Sequence, residues 1–165
     1  MKLLRTTALI ISALLVTLGS TAGLHGNSKS FEVDFDKCFA RAEDGDPYIF
    51  TFAGPASGDV SGTVEASALN DIISDVEPNQ TYLAADYVVT STRLSFTARV
   101  GGRVNDESGL AVLQGYVSAG PAWLVGAAVL DEFENHTLAD GTPCSKGTLF
   151  VTPVRWKPAH KNGID

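Results

Sequence analysis

Apolar and polar residues alternate along most of this chain, which is the signature of strands rather than helices. Phe31, Val33 and Phe35 alternate with Glu32, Asp34 and Asp36, so one face of that segment can be buried while the other meets water. The clearest case runs from Asp59 to Ala68. Val60, Gly62, Val64, Ala66 and Ala68 share one face, and Asp59, Ser61, Thr63, Glu65 and Ser67 share the other. A helix would scatter these two sets around its surface. Tyr48 to Ala53 is aromatic-rich and strand-like until Gly54-Pro55 breaks it. Tyr82 to Thr90 is rich in β-formers, and Thr92 to Val100 alternates through Leu94, Phe96, Ala98 and Val100. Gly101-Gly102 then opens a turn region. Leu110 to Val117, Trp123 to Phe133 and Thr148 to Val154 complete the strands. Leu69 to Val76 reads as a short helix or loop with Asn70 available as a cap, and Thr137 to Ser145 as a loop.

These segments make about eight strands joined mostly by short turns, with no alternation of strands and helices. The pattern predicts an all-β fold, an antiparallel barrel of about eight strands, with a two-sheet β-sandwich as the alternative. The spacing of the cysteines does not fit an immunoglobulin sandwich.

The first residues do not belong to this pattern. Lys2 and Arg5 precede an apolar run from Ala8 to Leu18, and Ser20-Thr21-Ala22 offers small residues for cleavage. This is the three-part signal peptide of an exported protein. A retained anchor is the alternative, but Thr6, Thr7, Ser12, Thr17 and Gly19 interrupt a run already short of the roughly 20 apolar residues that span a bilayer. The expected organisation is a signal peptide over 1–22, a flexible leader over 23–30, a barrel domain over 31–156 and a polar tail over 157–165. The location is then secreted, periplasmic or cell-surface, with no membrane span after cleavage.

Export changes the meaning of composition. The whole chain carries a net charge of -7, and loss of Lys2 and Arg5 leaves ten basic against nineteen acidic residues, a charge of -9. Such a surface repels nucleic acid and anionic lipid. The two cysteines, Cys38 and Cys144, would meet an oxidising compartment and form a structural disulfide. A redox thiol would need a CxxC spacing or a neighbouring base, and neither is visible.

Several glycine-marked runs resemble a known family. They are Phe52-Ala53-Gly54-Pro55-Ala56-Ser57-Gly58 with its continuation to Glu65, Phe96 to Gly102, Gln114 to Gly120, Gly126 to Val129, and Gly147 to Pro153. Together these resemble small secreted bacterial proteins with an allene oxide cyclase-like barrel, related in shape to dirigent proteins and calycins. The resemblance covers roughly Phe31 to Pro153 and implies an eight-stranded antiparallel barrel with a hydrophobic cavity. Plant members of that superfamily cyclise or couple unstable small molecules, chiefly by shaping their conformation. None of the residues credited with that role matches a position here, and the cysteine pair is not assigned to the family pattern.

Candidate chemistry is sparse. His25, His136 and His160 have no metal-ligand spacing, and no nucleophile elbow, phosphate loop or dinucleotide fingerprint is present. No cofactor and no metal are expected. The acidic groups Glu43, Asp44, Asp46 and Asp131, Glu132, Glu134 read as solvated turns, since neither completes a calcium loop. Glu65 would act as an acid or base if its face were the lumenal one, and would be an ordinary surface residue otherwise. Arg93 and Arg99 could pair with such acids. Tyr82, Tyr87, Phe96, Tyr116 and Trp123, with Glu65, are the candidate ligand-binding residues, with plain core packing as the alternative for the aromatics. Phe50 could join them. Asn79 and Asn135 begin glycosylation sequons. Three functions follow: a non-catalytic module for a small apolar ligand, a packed surface structural protein, or a cofactor-independent isomerase or cyclase.

Overall fold

The computed structural model describes residues 29–43, 47–70 and 73–154, with side chains of 73–76 not described. The signal peptide, most of the leader and the polar tail lie outside the described residues. All regular structure among the described residues is strand: β1 (Phe31–Ala42), β2 (Tyr48–Gly58), β3 (Gly62–Leu69), β4 (Ile73–Glu77), β5 (Gln80–Thr90), β6 (Phe96–Asn105), β7 (Leu110–Ala119), β8 (Ala128–Thr137) and β9 (Pro143–Thr152).

Apart from β3 and β4, neighbours along the chain pair in antiparallel fashion, β1 also pairs with β9, and β3 pairs with β5 from Thr63↔Thr90 to Ala68↔Ala85. That last ladder closes a barrel of eight strands. Only the short β4 lies outside the ring, as a hairpin against the start of β5. Closure removes the free edges that an open sheet would present. The alternation from Val60 to Ala68 survives in the structure: Val64, Ala66 and Ala68 are buried, and Thr63 and Glu65 are exposed. Outward positions of β1, β8 and β9 carry Glu32, Asp34, Asp36, Glu132, Glu134 and Lys146, all exposed. A wall so charged faces water, since charges on a lipid-facing wall are costly.

Four local expectations are corrected. Strand β2 does not stop at Gly54-Pro55 but continues to Gly58. Proline is tolerated because the β1–β2 pairing skips from Phe35↔Ala56 to Cys38↔Ala53, leaving Gly54 and Pro55 where that ladder is interrupted. Gly101 and Gly102 lie inside β6 rather than in a turn, on a strand running to Asn105. The helix or loop over 69–76 contains strand β4. The loop over 137–145 is shorter than its pattern suggested, because Pro143 already starts β9. Glycine was misleading as a turn signal. Several glycines lie within strands where a neighbour's backbone comes too close for a side chain, and a Cβ at Gly115 would collide with the carbonyl oxygen of Arg99.

One end of the barrel is plugged. The β7–β8 connection folds Leu124 and Ala127 inward, where they join Val60, Phe96, Val129 and Val151 in the core. Trp123 and Val125 of the same connection point outward, so the apolar run from Trp123 is a turn serving as a lid and the strand begins only at Ala128.

Cys38 and Cys144 are directly opposed on β1 and β9 and joined in a disulfide. The bridge ties the first and last strands of the ring and fits a non-reducing environment. It spans 106 positions of sequence. On the chain-entropy relation such a loop contributes about 4–5 kcal/mol, a large share of a domain's stability. Reduction, or the Cys38→Ala/Cys144→Ala variant, should therefore move the guanidinium unfolding midpoint to markedly lower denaturant. Thiol labelling of the denatured, unreduced protein should find no free cysteine.

Candidate functional site

Strand parity decides where the expected ligand-binding residues lie. Tyr87 and Phe96 point into the barrel and are buried. Phe96 belongs to the plug, edge-on to Phe31 with ring centroids 6.0 Å apart. Tyr82 and Tyr116 have the opposite parity from the buried apolar residues of their strands and stand on the outer wall. Trp123 is exposed in the β7–β8 connection. Glu65 is also outside, because its neighbours Val64 and Ala66 take the interior, and Arg41 Nη2 is 3.8 Å from its carboxylate. A lumenal acid or base at Glu65 is thereby excluded.

The ionisable groups inside the barrel are different ones. Lys37 on β1 is 3% exposed and Asp131 on β8 is 0% exposed. Both occupy inward positions: Lys37 follows Val33 and Phe35 at the same parity, and Asp131 lies between Val129 and Phe133. Asp131 therefore does not belong to a solvated acidic turn. The Lys37 ammonium sits in a cage of three rings, with Nζ 4.1 Å from the centroid of Phe35, 4.6 Å from Phe133 and 5.0 Å from Tyr87. Ring faces are electron-rich, so they attract a cation whose water has been removed.

Asp131 is less well served. Both carboxylate oxygens are buried without a hydrogen-bond partner. The Tyr87 hydroxyl is near enough to influence the carboxyl, yet no full hydrogen bond is formed. Desolvation dominates the titration of the whole group. Burial lowers Lys37 to about 8, against the attraction of Asp131, and raises Asp131 to about 6, against the attraction of Lys37. Burial also pushes the Tyr87 phenol well above its ordinary value. At neutral pH the interior holds an ammonium and a carboxylate, each close to losing its charge.

The barrel end opposite the plug is not filled in the same way. Phe39, Phe50, Phe52 and Leu83 share the inward parity of their strands yet remain partly or substantially exposed, Phe39 at 42%. Phe52 packs edge-on to both Phe39 and Phe50, with centroids 6.0 and 5.6 Å apart. Across this mouth, Ser145 donates to Asn135 Oδ1 at 2.7 Å, and Ser145 is the β9 partner of Lys37. The rim is aromatic on one side and polar on the other, and Lys37 lies two positions inward from Phe39 along β1.

The outer wall carries a second polar cluster. Arg99 grips Asp86 with two hydrogen bonds, Nε to Oδ1 at 2.8 Å and Nη2 to Oδ2 at 2.7 Å, and the Tyr48 hydroxyl donates to Oδ2 at 2.8 Å. These bonds, led by Arg99, hold the Asp86 carboxyl below the usual carboxylate range. The partner of Arg99 is thus Asp86, which ties β2, β5 and β6 together. A groove of about 430 Å³ also lies outside, over the interrupted β1–β2 ladder, lined by Asp34, Asp36, Pro55, Lys146 and Thr148. Among the described residues no three His, Cys, Asp or Glu side chains gather into a metal-binding group.

The sequence offered a signal for Lys37 and Asp131: each interrupts an alternating apolar set at the parity of the buried face. Charge, which normally marks the outer face, concealed it.

The interior pair has a defined linkage to pH. Between about pH 4 and 6 the folded protein keeps the Asp131 proton that an unfolded chain has released, so stability from this group is lost as pH rises. Between about 8 and 10.5 the folded protein has released the Lys37 proton that an unfolded chain keeps, so stability is gained as pH rises. The pair's contribution is lowest between those windows. The Lys37→Met/Asp131→Leu double variant should lose both slopes and be more stable at pH 7 by about 1–4 kcal/mol, measured by guanidinium unfolding at pH 5, 7 and 9.

A scan against protein-family models found no match, and a search of curated proteins found no similar sequence.

Proposed function

We propose that this chain is an exported binding module that admits a small, largely apolar molecule through the mouth framed by Phe39, Phe50, Phe52 and Leu83. The observation that carries the reading is the difference between the two ends of the barrel. One is closed by Leu124, Ala127 and Phe96, and the other keeps inward-pointing aromatic rings in partial contact with water. Apolar surface turned toward the inside of a concave wall is where a ligand gains most from leaving water. The Lys37, Asp131 and Tyr87 groups beneath it would orient a polar end. Kinship with the allene oxide cyclase-like barrels is part of the same proposal, supported by the eight-stranded antiparallel ring and the glycines set within its strands. Export is supported by the signal-like first residues and the disulfide.

A second reading, a packed structural barrel, is favoured by the filled upper interior, where Val33, Leu113, Val117, Leu149 and Val151 have no exposure at all. Titration with N-phenyl-1-naphthylamine separates the two. The binding reading expects saturable fluorescence enhancement at one probe per chain, weakened at least tenfold by Phe52→Ser. Trp123 emission should stay unchanged, because that residue lies outside at the plugged end. Absence of saturable binding across a panel of aromatic amines, fatty acids and polyenes would leave the packed barrel.

A further inference from the structure

Lys37 is a primary amine enclosed by aromatic rings, beside a carboxyl group with no partner, at the inner side of an aromatic mouth. A purely structural cation gains nothing from this placement that a methionine would not supply, and the unpartnered Asp131 oxygens add a cost. From this geometry we infer that the interior is a carbonyl-capturing site, in which Lys37 Nζ forms an imine with a small apolar aldehyde or ketone. The inference rests on the mouth described above as the way in.

The chemistry needs three things that the interior supplies. The amine must present a lone pair near neutral pH, and burial lowers its proton affinity. A group must accept and return a proton, and Asp131 faces the same interior with both oxygens free. Water must be kept away from the product, and Phe35, Phe133 and Tyr87 surround the nitrogen.

The step balances without any oxidant or reductant. The Lys37 ammonium first cedes a proton to the Asp131 carboxylate; the freed Nζ lone pair bonds to the carbonyl carbon as the C=O π pair moves to oxygen, which takes that proton from Asp131. The Asp131 carboxylate takes one proton from nitrogen, giving a neutral carbinolamine. Asp131 then returns that proton to the hydroxyl, the C–O bond breaks, and water leaves as nitrogen forms the C=N bond. The product iminium keeps the positive charge in the aromatic cage that held the ammonium. The titratable groups acting on this site are Lys37, Asp131 and the neutral Tyr87 phenol from inside, and Glu132, whose charge raises Asp131 from the outer side of β8.

The test uses the folded, disulfide-bonded protein with hexanal and cyanoborohydride at pH 7.5, and reads alkylation at each lysine by peptide mass spectrometry. Lys37 should label at least tenfold faster than the exposed Lys29 and Lys146, and acid unfolding before labelling should abolish the preference. Asp131→Asn should slow Lys37 at least tenfold while leaving Lys146 labelling unchanged. Labelling of Lys37 no faster than Lys146 overturns the inference. If the naphthylamine probe still binds in that case, the binding reading stands alone; if it does not, both fall. Lys37 labelling without probe binding supports carbonyl capture and removes the broader apolar-ligand reading.

Discussion

The structure turns on the enclosure of one ammonium and one carboxylate in a barrel that is otherwise filled with aliphatic and aromatic side chains. Lys37 and Asp131 enter from β1 and β8, and the third ring of the ammonium cage, Tyr87, comes from β5. Removing such charges from water costs several kcal/mol per ion, and mutual attraction returns only part of it. A packed core of valine, leucine and phenylalanine would have been the more stable solution. The aromatic cage lowers the cost for Lys37, whereas Asp131 has no comparable compensation.

This arrangement depends on closure. β1 and β5 are separated by two strands on one side of the ring and by four on the other, so Tyr87 and Lys37 meet only across the lumen. The β3–β5 ladder completes the ring, and the Cys38–Cys144 bridge fastens β1 to β9 one position along from the Lys37↔Ser145 pair. On the outside, Asp86 with Arg99 and Tyr48 ties β2, β5 and β6 together over the same closing seam. Closure therefore does two things. It removes sheet edges, and it brings together polar groups that no single hairpin could hold.

Much of this was legible from alternation alone. The Val60–Ala68 set predicted both strand β3 and its buried face, and the strand count with short turns led to the barrel. Pro55, Gly101 and Gly102 read as breaks because their usual role is in turns. In the folded chain Pro55 sits at a gap in the β1–β2 ladder, and the glycines admit close backbone approach. The ligand-lining aromatics were chosen by residue type, and parity then separated Tyr87 and Phe96 from Tyr82 and Tyr116. Lys37 and Asp131 were overlooked for a physical reason. Sequence patterning treats charge as a proxy for exposure, and two interior charged groups reverse that relation at the positions where function and stability conflict.

The most direct measurement is the titration of Lys37 itself, followed by NMR of the Nζ and Cε resonances in lysine-labelled, disulfide-bonded protein. Enclosure in the barrel predicts that Lys37 titrates near pH 8, shifted by burial and sensitive to Asp131→Asn. A Lys37 resonance that titrates at the ordinary lysine value of about 10.5 would contradict the account, because an ammonium enclosed with Asp131 and three aromatic rings cannot behave as one in water.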